Sequence, residues 1–158
     1  MGVHRTEHRV IFADTDAMGI VYHANYLRFF ESARSEWFRE LFIHPMEMIA
    51  NDNYVIVVEA NVKYHAPAKF DDILLIDCWI PAEHVRQASW RFEHIAWDKA
   101  TGRKLVTANT VHALCTSTGK LKRMPREFQA RVRDLATTDA PHPHDATHLP
   151  ADTNLPKF

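Results

Sequence analysis

Cysteine and glycine are scarce in this chain, which has two cysteines and four glycines among 158 residues. Cys78 and Cys115 each lie within a strand-like run, so we predict reduced core thiols of a cytoplasmic protein, with neither a disulfide nor a thiol nucleophile. The glycines form no phosphate-binding loop, and no G-x-S-x-G motif is present. This absence argues against a serine-nucleophile hydrolase.

The chain also lacks a strong excess of charge and any long apolar run. Its formal net charge is −1, whereas a nucleic-acid binder normally has a basic face, so no nucleic-acid partner is predicted. The apolar runs are strand-sized, which predicts no transmembrane segment, and the first ten residues contain no apolar core of a secretory signal. With 46% hydrophobic and 25% charged residues, the composition predicts one globular domain with its own core.

Hydrophobic periodicity predicts a strand, a long helix and then four further strands. Weak alternation over 5–13 predicts the first strand, and a helical period predicts a helix over about 25–42. Residues 45–51 resemble a short helical turn, and Pro125 suits the start of a helix over about 125–134. Period-two patterns predict strands over 54–65, 73–80, 86–97 and 103–116. Residues 137–158 have little to bury and are predicted to be a disordered tail, so the domain covers 1–136.

The long helix has an unusually aromatic face. Its members recur at helical spacing, and they are Tyr26, Phe30, Ala33, Trp37 and Leu41, widened by Leu27 and Phe38. Such a stripe must bury against a large apolar surface, and the sheet is the only candidate. We therefore predict an α+β fold in which an antiparallel sheet wraps around the helix and consecutive strands pair with each other.

Two acids and a histidine precede the long helix, in the stretch DTDAMGIVYHANYLRFFESAR (14–34). Asn25 is a good N-cap, and free N–H groups at the helix start can polarise a carbonyl. Gly19 allows a sharp bend that returns Asp16 towards this helix start, where its carboxylate can activate water or attack directly. The alternatives are that Asp14 or Asp16 only organises a turn and that His23 is a surface residue.

This stretch resembles the hotdog-fold acyl-CoA thioesterases of the 4-hydroxybenzoyl-CoA thioesterase type. It is most similar to their Tol–Pal-associated, YbgC-like subgroup, whose pattern is D-x-D-x-x-G-[IV]-V-[YW]-[HYF]-x-x-Y followed by a helix with F-E-x-A-R. The chain matches this pattern at Asp14, Asp16, Gly19, Val21, Tyr22, His23, Tyr26, Glu31, Ala33 and Arg34. The resemblance covers roughly residues 5–133.

The resemblance implies a hotdog fold, with a long helix wrapped by a five- or six-stranded antiparallel sheet. It also implies an acyl-CoA substrate, a homodimer or homotetramer with sites at the dimer interface, and no metal or redox cofactor. The catalytic acid falls on Asp16, the carbonyl-polarising N–H falls at His23, and the His23 side chain has a catalytic part in this subgroup. Tyr22, beside His23, is counted among the substrate-binding residues.

Further candidates lie outside this stretch. Glu59 and Asn61 are on the second predicted strand, which in this family lines the site across the dimer. Lys120, Lys122 and Arg123 follow a turn, where they either contact the phosphates of coenzyme A or form a solvated basic turn. The histidines of HPHDATH (142–148) could bind a metal, although a Pro-rich tail is a poor scaffold for one.

Two other functions of the hotdog fold compete with thioester hydrolysis. One is a non-catalytic acyl-CoA-binding module, because a fold alone does not determine function. The other is a hydratase or dehydratase, whose His-centred motif is not found here. The presence of both Asp16 and His23 favours the thioesterase, with Asp16 as general base or as nucleophile.

Overall fold

The computed structural model of the protein describes residues 2–40, 45–138 and 141. The strands are β1 (Val3–Arg9), β2 (Tyr54–Tyr64), β3 (Ile73–Trp79), β4 (Ser89–Asp98), β5 (Lys104–Cys115) and the two-residue β6 (Leu121–Lys122). The helices are α1 (Asn25–Glu40), α2 (Pro45–Ala50) and α3 (Arg126–Leu135). The predicted first strand is too long, because Phe12–Asp14 form a 3-10 turn instead. Residues 41 and 42 of the predicted long helix lie outside the described residues.

The six strands form one antiparallel sheet in the order β1-β3-β4-β5-β2, with β6 on β5. This confirms the α+β prediction of an antiparallel sheet around a long helix. The prediction that consecutive strands pair is wrong for β2, which pairs with β5 and not with β3. The link between β2 and β3 crosses the end of the sheet, where the N–H of His65 donates to the carbonyl of Leu105 and buried Ala68 accepts from Val21.

Helix α1 buries its aromatic face on the concave side of the sheet, as predicted. Phe30 stacks on His94 with ring centroids 4.7 Å apart, and Trp37 meets the edge of Phe92 at 5.1 Å. Phe29, missing from the predicted stripe, is buried and lies 4.0 Å from the ring of His8 on β1. Phe29 contacts β1 whereas Phe30 and Trp37 contact β4, so the buried face of this helix is wider than one heptad-like stripe.

The convex side of the sheet carries a buried ion pair and a small apolar cluster. Arg5 and Asp77 form a buried two-bond ion pair, with nitrogen–oxygen distances of 2.6 and 2.8 Å. The indole N–H of Trp97 also donates to Asp77, at 2.7 Å. Around this pair lies a second buried cluster, made of Leu75, Trp79, Ile95 and Trp97.

Thr137, the first residue of the predicted tail, is hydrogen-bonded to the domain. The N–H of Thr137 donates to the carbonyl of Ile80 at 3.0 Å, and the N–H of Ala82 donates to the carbonyl of Thr137 at 3.2 Å. Thr137 therefore bonds to the domain, while the boundary predicted near residue 136 stays a prediction. Apart from residues 137, 138 and 141, the predicted tail and its HPHDATH segment lie outside the described residues.

Both cysteines have the environment expected of core residues. Cys78 and Cys115 are buried and unpaired, and burial raises the pKa of the Cys78 thiol well above its usual value. This supports the prediction that neither forms a disulfide. Within the described part of the chain, no helix has the length and apolar character needed to cross a membrane.

Candidate active site

Asp14 organises the loop between β1 and α1. Its buried carboxylate accepts from the N–H of Ile11 at 3.0 Å and lies 2.7 Å from Nε2 of His8. Its carbonyl accepts from the N–H of Tyr22 at 2.8 Å and from the side-chain amide of Asn25 at 2.9 Å. These bonds confirm the loop-organising role predicted for Asp14 and fix the start of α1 against the end of β1.

Asp16 lies in a second, more open turn of the same loop. Its carbonyl accepts from the N–H of Gly19. Gly19 has a φ of 74°, which glycine adopts more readily than any other residue. The Oδ1 atom of Asp16 accepts from the N–H of Met18 at 2.8 Å. The Oδ2 atom has no hydrogen-bond partner among the described residues, so one oxygen of this carboxylate is left for another ligand.

The start of α1, a few residues after Asp16, has unpaired N–H groups. Among the described residues, the N–H groups of His23 and Ala24 have no acceptor, while the N–H of Asn25 donates to the carbonyl of Tyr22. The prediction that Asn25 caps the helix is wrong in detail. Its side-chain oxygen accepts from Arg28 at 3.3 Å and its amide donates to Asp14, so it positions the helix start without occupying those N–H groups.

A cavity of about 430 Å³ joins these groups. It is lined by Asp16, Ile20, Val21, His23, Tyr26, Tyr64, His65, Ala66 and Pro67. The hydroxyl of Tyr64 donates to the carbonyl of His23 at 2.9 Å, which ties the end of β2 to the helix start. The structure thus brings the two predicted catalytic residues, Asp16 and His23, into one cavity.

Tyr26 belongs to the apolar stripe and to the family pattern, and the structure adds that it lines the cavity. Burial, followed by the nearby Tyr64 and Asp72, raises the pKa of Tyr26 to about 12, so its phenol stays neutral at physiological pH. Its ring lies 5.9 Å from that of Tyr64. A tyrosine in the first turn of an otherwise Phe- and Trp-based stripe was the signal that could have identified it.

The remaining predicted residues divide into two groups. The ring of Tyr22 is exposed and lies 4.5 Å from that of His23, at the rim of the cavity. Asn61 donates to Glu59 at 2.6 Å, and by strand alternation these two share the face of β2 opposite to Tyr64. In the single chain, therefore, the structure places Tyr22 close to the cavity and directs Glu59 and Asn61 away from it.

In the single chain, the basic turn of Lys120, Lys122 and Arg123 lies far from this cavity. Lys122 donates to the carbonyl of Asp52 at 2.8 Å, and Lys120 and Arg123 beside it are exposed. Strand β6 pairs with the Cys115 end of β5, whereas the cavity lies at the other end of β2. About ten strand residues separate the two regions, which corresponds to roughly 33 Å.

The amino-acid sequence is similar to those of known thioesterases. Residues 10–132 match the thioesterase-like superfamily. The chain belongs to this family. It is 33% identical to the acyl-CoA thioesterase YbgC of Haemophilus influenzae over 130 residues, which are 80% of this chain and 92% of that protein. The predicted resemblance to the YbgC-like hotdog thioesterases is thereby confirmed.

Solved structures of this thioesterase family support the same fold. A probable thioesterase from Bartonella henselae has a TM-score of 0.68 and 32% identity, with 79% of this chain and 100% of that chain covered. The 1,4-dihydroxy-2-naphthoyl-CoA thioesterase Slr0204 from Synechocystis has a TM-score of 0.77 at 24% identity, with 85% of this chain and 98% of that chain covered. The likeness to Slr0204 shows the shared hotdog fold alone.

Proposed function

We propose that this protein is an acyl-CoA thioesterase, which hydrolyses an acyl-CoA thioester to a free acid and coenzyme A. One observation carries the proposal: Asp16 and His23 line the same cavity at the start of α1, and the N–H of His23 has no acceptor among the described residues. An acid and an oxyanion-stabilising donor are the two groups that attack on a thioester carbonyl requires. The named activity of the Haemophilus relative is in agreement.

The chemistry begins with the carbonyl oxygen of the thioester. When it accepts from the N–H of His23, the positive end of the α1 dipole stabilises the negative charge that develops on attack. Water then adds to the carbonyl carbon as Oδ2 of Asp16 takes a proton, and the C–S bond breaks to release the thiolate of coenzyme A. In the other route, Oδ2 attacks first and water hydrolyses the mixed anhydride.

The neighbouring side chains have positioning roles in this proposal. The neutral phenol of Tyr26 can donate a hydrogen bond within the cavity, and the Tyr64–His23 bond holds β2 against the helix start. The exposed imidazole of His23 can orient water or the carboxylate. The reaction needs no metal or redox cofactor, because water, a carboxylate and an N–H donor suffice.

We also propose a homodimer formed through β2, assembling further into a tetramer. β2 is an edge strand with exposed Val55, Val57, Val58 and Tyr64, and an uncovered apolar edge favours pairing with another strand. In a two-fold antiparallel pairing, the Tyr54 end of one β2 lies beside the Tyr64 end of the other. This arrangement brings the basic turn of one subunit to the cavity of the other, where it can bind the phosphates of coenzyme A.

The proposal is tested by thiol release from a panel of acyl-CoAs of varied length, including aromatic ones. Hydrolysis of at least one class, with turnover well above the background rate, is expected. If the protein binds these thioesters but releases no thiol, the non-catalytic binding module becomes the better description. Two buried, unpaired cysteines suit a reducing compartment, so we propose a cytoplasmic location for this activity.

A further inference from the structure

Two tyrosines, Tyr26 and Tyr64, line the cavity that Asp16 and His23 also line. The hydroxyl of Tyr64 donates to the carbonyl of His23 at 2.9 Å. A phenol has one proton to donate, so the proton of Tyr64 is already engaged in holding β2 against the helix start. Tyr26 is therefore the tyrosine of this cavity whose proton is left for a substrate.

Tyr26 combines a buried ring with a hydroxyl that opens into the cavity. The residue is 2% exposed, and its ring packs against those of Phe29, Phe30 and Tyr64 at centroid distances of 5.7, 6.3 and 5.9 Å. Among the described residues its hydroxyl has no hydrogen-bond partner, yet the oxygen is not fully enclosed by protein. Because a buried tyrosine hydroxyl usually has a partner, this one is placed to bind an acceptor atom of a molecule in the cavity.

The hydroxyl of Tyr26 is a donor and not a base. Burial, followed by the nearby Tyr64 and Asp72, raises its pKa to about 12, so the phenol keeps its proton at physiological pH. Because the side chain is shielded from water, a hydrogen bond from this hydroxyl is stronger than one at the surface. Tyr26 thus offers a neutral donor in a cavity where Asp16 can accept the proton of water.

The position of Tyr26 on α1 directs its side chain towards the helix start. Tyr26 is the second residue of α1, and His23 lies three residues before it. Three residues of helix rise about 4.5 Å, and a helical side chain leans towards the N-terminus and covers the turn before its own Cα atom. That turn contains the N–H of His23, which has no acceptor among the described residues. One donor from the backbone and one from a side chain therefore serve the same end of the cavity.

A thioester carbonyl needs more than one donor when it is attacked. Its oxygen has two lone pairs, and attack on the carbonyl carbon adds negative charge to it. Donors aimed at this oxygen lower the barrier because their hydrogen bonds strengthen as the charge develops. The N–H of His23 occupies one lone pair in the proposed reaction, which leaves the other for a second donor.

We propose that Tyr26 is a further catalytic residue, whose hydroxyl donates the second hydrogen bond to the carbonyl oxygen of the thioester. The proton stays on the phenol throughout, so the step changes no bond of Tyr26. The inference rests on the proposed thioesterase function and deepens it. A hydrogen bond to the pantetheine arm would be equally strong before and during attack, so it would alter KM and not kcat.

The experiment measures kcat and KM of Tyr26→Phe on the best acyl-CoA of the panel, with the full chain. We expect kcat to fall by about 100- to 1,000-fold, the loss typical of one oxyanion-stabilising donor, while KM stays within about threefold. Phe keeps the ring and its packing, so Tm and oligomeric mass should be unchanged. Ser32→Ala is the matched control, because it removes an exposed hydroxyl from the same helix and should change neither constant.

A second substrate separates hydrogen bonding from packing. In the dithioester analogue of the same acyl-CoA, sulfur replaces the carbonyl oxygen, and sulfur is a weak hydrogen-bond acceptor. The wild-type chain then gains little from the hydroxyl, so Tyr26→Phe should slow this substrate by less than about tenfold. A displaced helix start would instead slow both substrates by the same factor. The comparison holds even if Tyr26→Phe is less stable, because the same protein is assayed on both.

The possible outcomes separate this inference from the proposed function. If the wild-type chain hydrolyses no thioester, the proposed function is overturned and the inference with it. If the wild-type chain hydrolyses a thioester and Tyr26→Phe retains near-normal kcat, the inference alone is overturned. A raised KM with unchanged kcat assigns the hydroxyl to substrate binding, and equal losses on both substrates assign Tyr26 to packing; either result also overturns the inference.

Discussion

Replacing Asp14 with alanine should destabilise the fold through the loop that presents the catalytic groups. The carboxylate of Asp14 is 2% exposed and accepts from the N–H of Ile11 and from His8. A hydrogen bond to a charged group contributes about 1.5–3 kcal/mol, and the part-exposed His8 contact adds less. We therefore expect the free energy of unfolding to fall by about 2–4 kcal/mol.

The assay is urea unfolding followed by tryptophan fluorescence, together with thermal melting. A loss of this size corresponds to a fall in Tm of about 6–12 °C for a chain of this length. Glu127→Ala is the control, because it removes an exposed ion pair to Arg131 and should change stability by less than about 0.5 kcal/mol.

The reasoning is refuted if Asp14→Ala and Glu127→Ala unfold at the same urea concentration. That result would mean that water replaces Asp14 at the N–H of Ile11 without cost. A large fall for Asp14→Ala, with the slope of the transition unchanged, would support a lost native contact over a change in the unfolded chain.

Three further predictions concern pH, assembly and the C-terminus. The pKa of His112 is about 3 in the folded chain, so below pH 6.5 the unfolded chain binds a proton there that the folded chain does not. The free energy of unfolding should therefore fall as the pH drops from 6.5 towards 3. Urea unfolding at several pH values should show a shallower decline in His112→Gln. Light scattering at micromolar concentration should give the mass of a dimer or tetramer. Val58→Lys places a charge on the exposed edge strand and should lower both the mass and kcat/KM. A fully active monomer would exclude a shared site. A chain that ends after Pro141 should keep the Tm and kcat/KM of the full chain. A chain that ends after Leu135 should have a lower Tm, because it loses the hydrogen bonds of Thr137 to Ile80 and Ala82. Equal Tm values for the two truncated chains would show that these bonds contribute nothing to stability.

Local patterns were enough to predict the long helix and the loop that precedes it. The helical spacing of Tyr26, Phe30 and Trp37 reports burial directly, because one face of a helix must be apolar to pack on a sheet. The order of Asp14, Asp16 and Gly19 likewise predicted a turn before the helix start, and the structure brings Asp16 and His23 into one cavity.

Long-range pairing could not be read from the same patterns. Strand alternation over 54–65 identifies β2 but not its partner, because register depends on contacts with strands distant in the chain. The pairing of β2 with β5 places Val57 opposite His112, and both residues line a cavity between α1 and β2 that Arg34 and Phe38 also line. The F-E-x-A-R motif identifies Arg34 as a family residue, but nothing in its immediate sequence shows that it lines a cavity with His112 of β5.

The central claim is that the carboxylate of Asp16 performs the chemistry. The most direct test is steady-state turnover of Asp16→Asn on the best acyl-CoA of the panel, with Asp71→Asn as a control at an exposed ion pair. Asn is close to Asp in shape but is neither base nor nucleophile, so kcat should fall by about 100- to 10,000-fold, with Tm and oligomeric mass unchanged. Asp14→Asn should reduce kcat less than Asp16→Asn does. Near-normal turnover in Asp16→Asn would contradict the account.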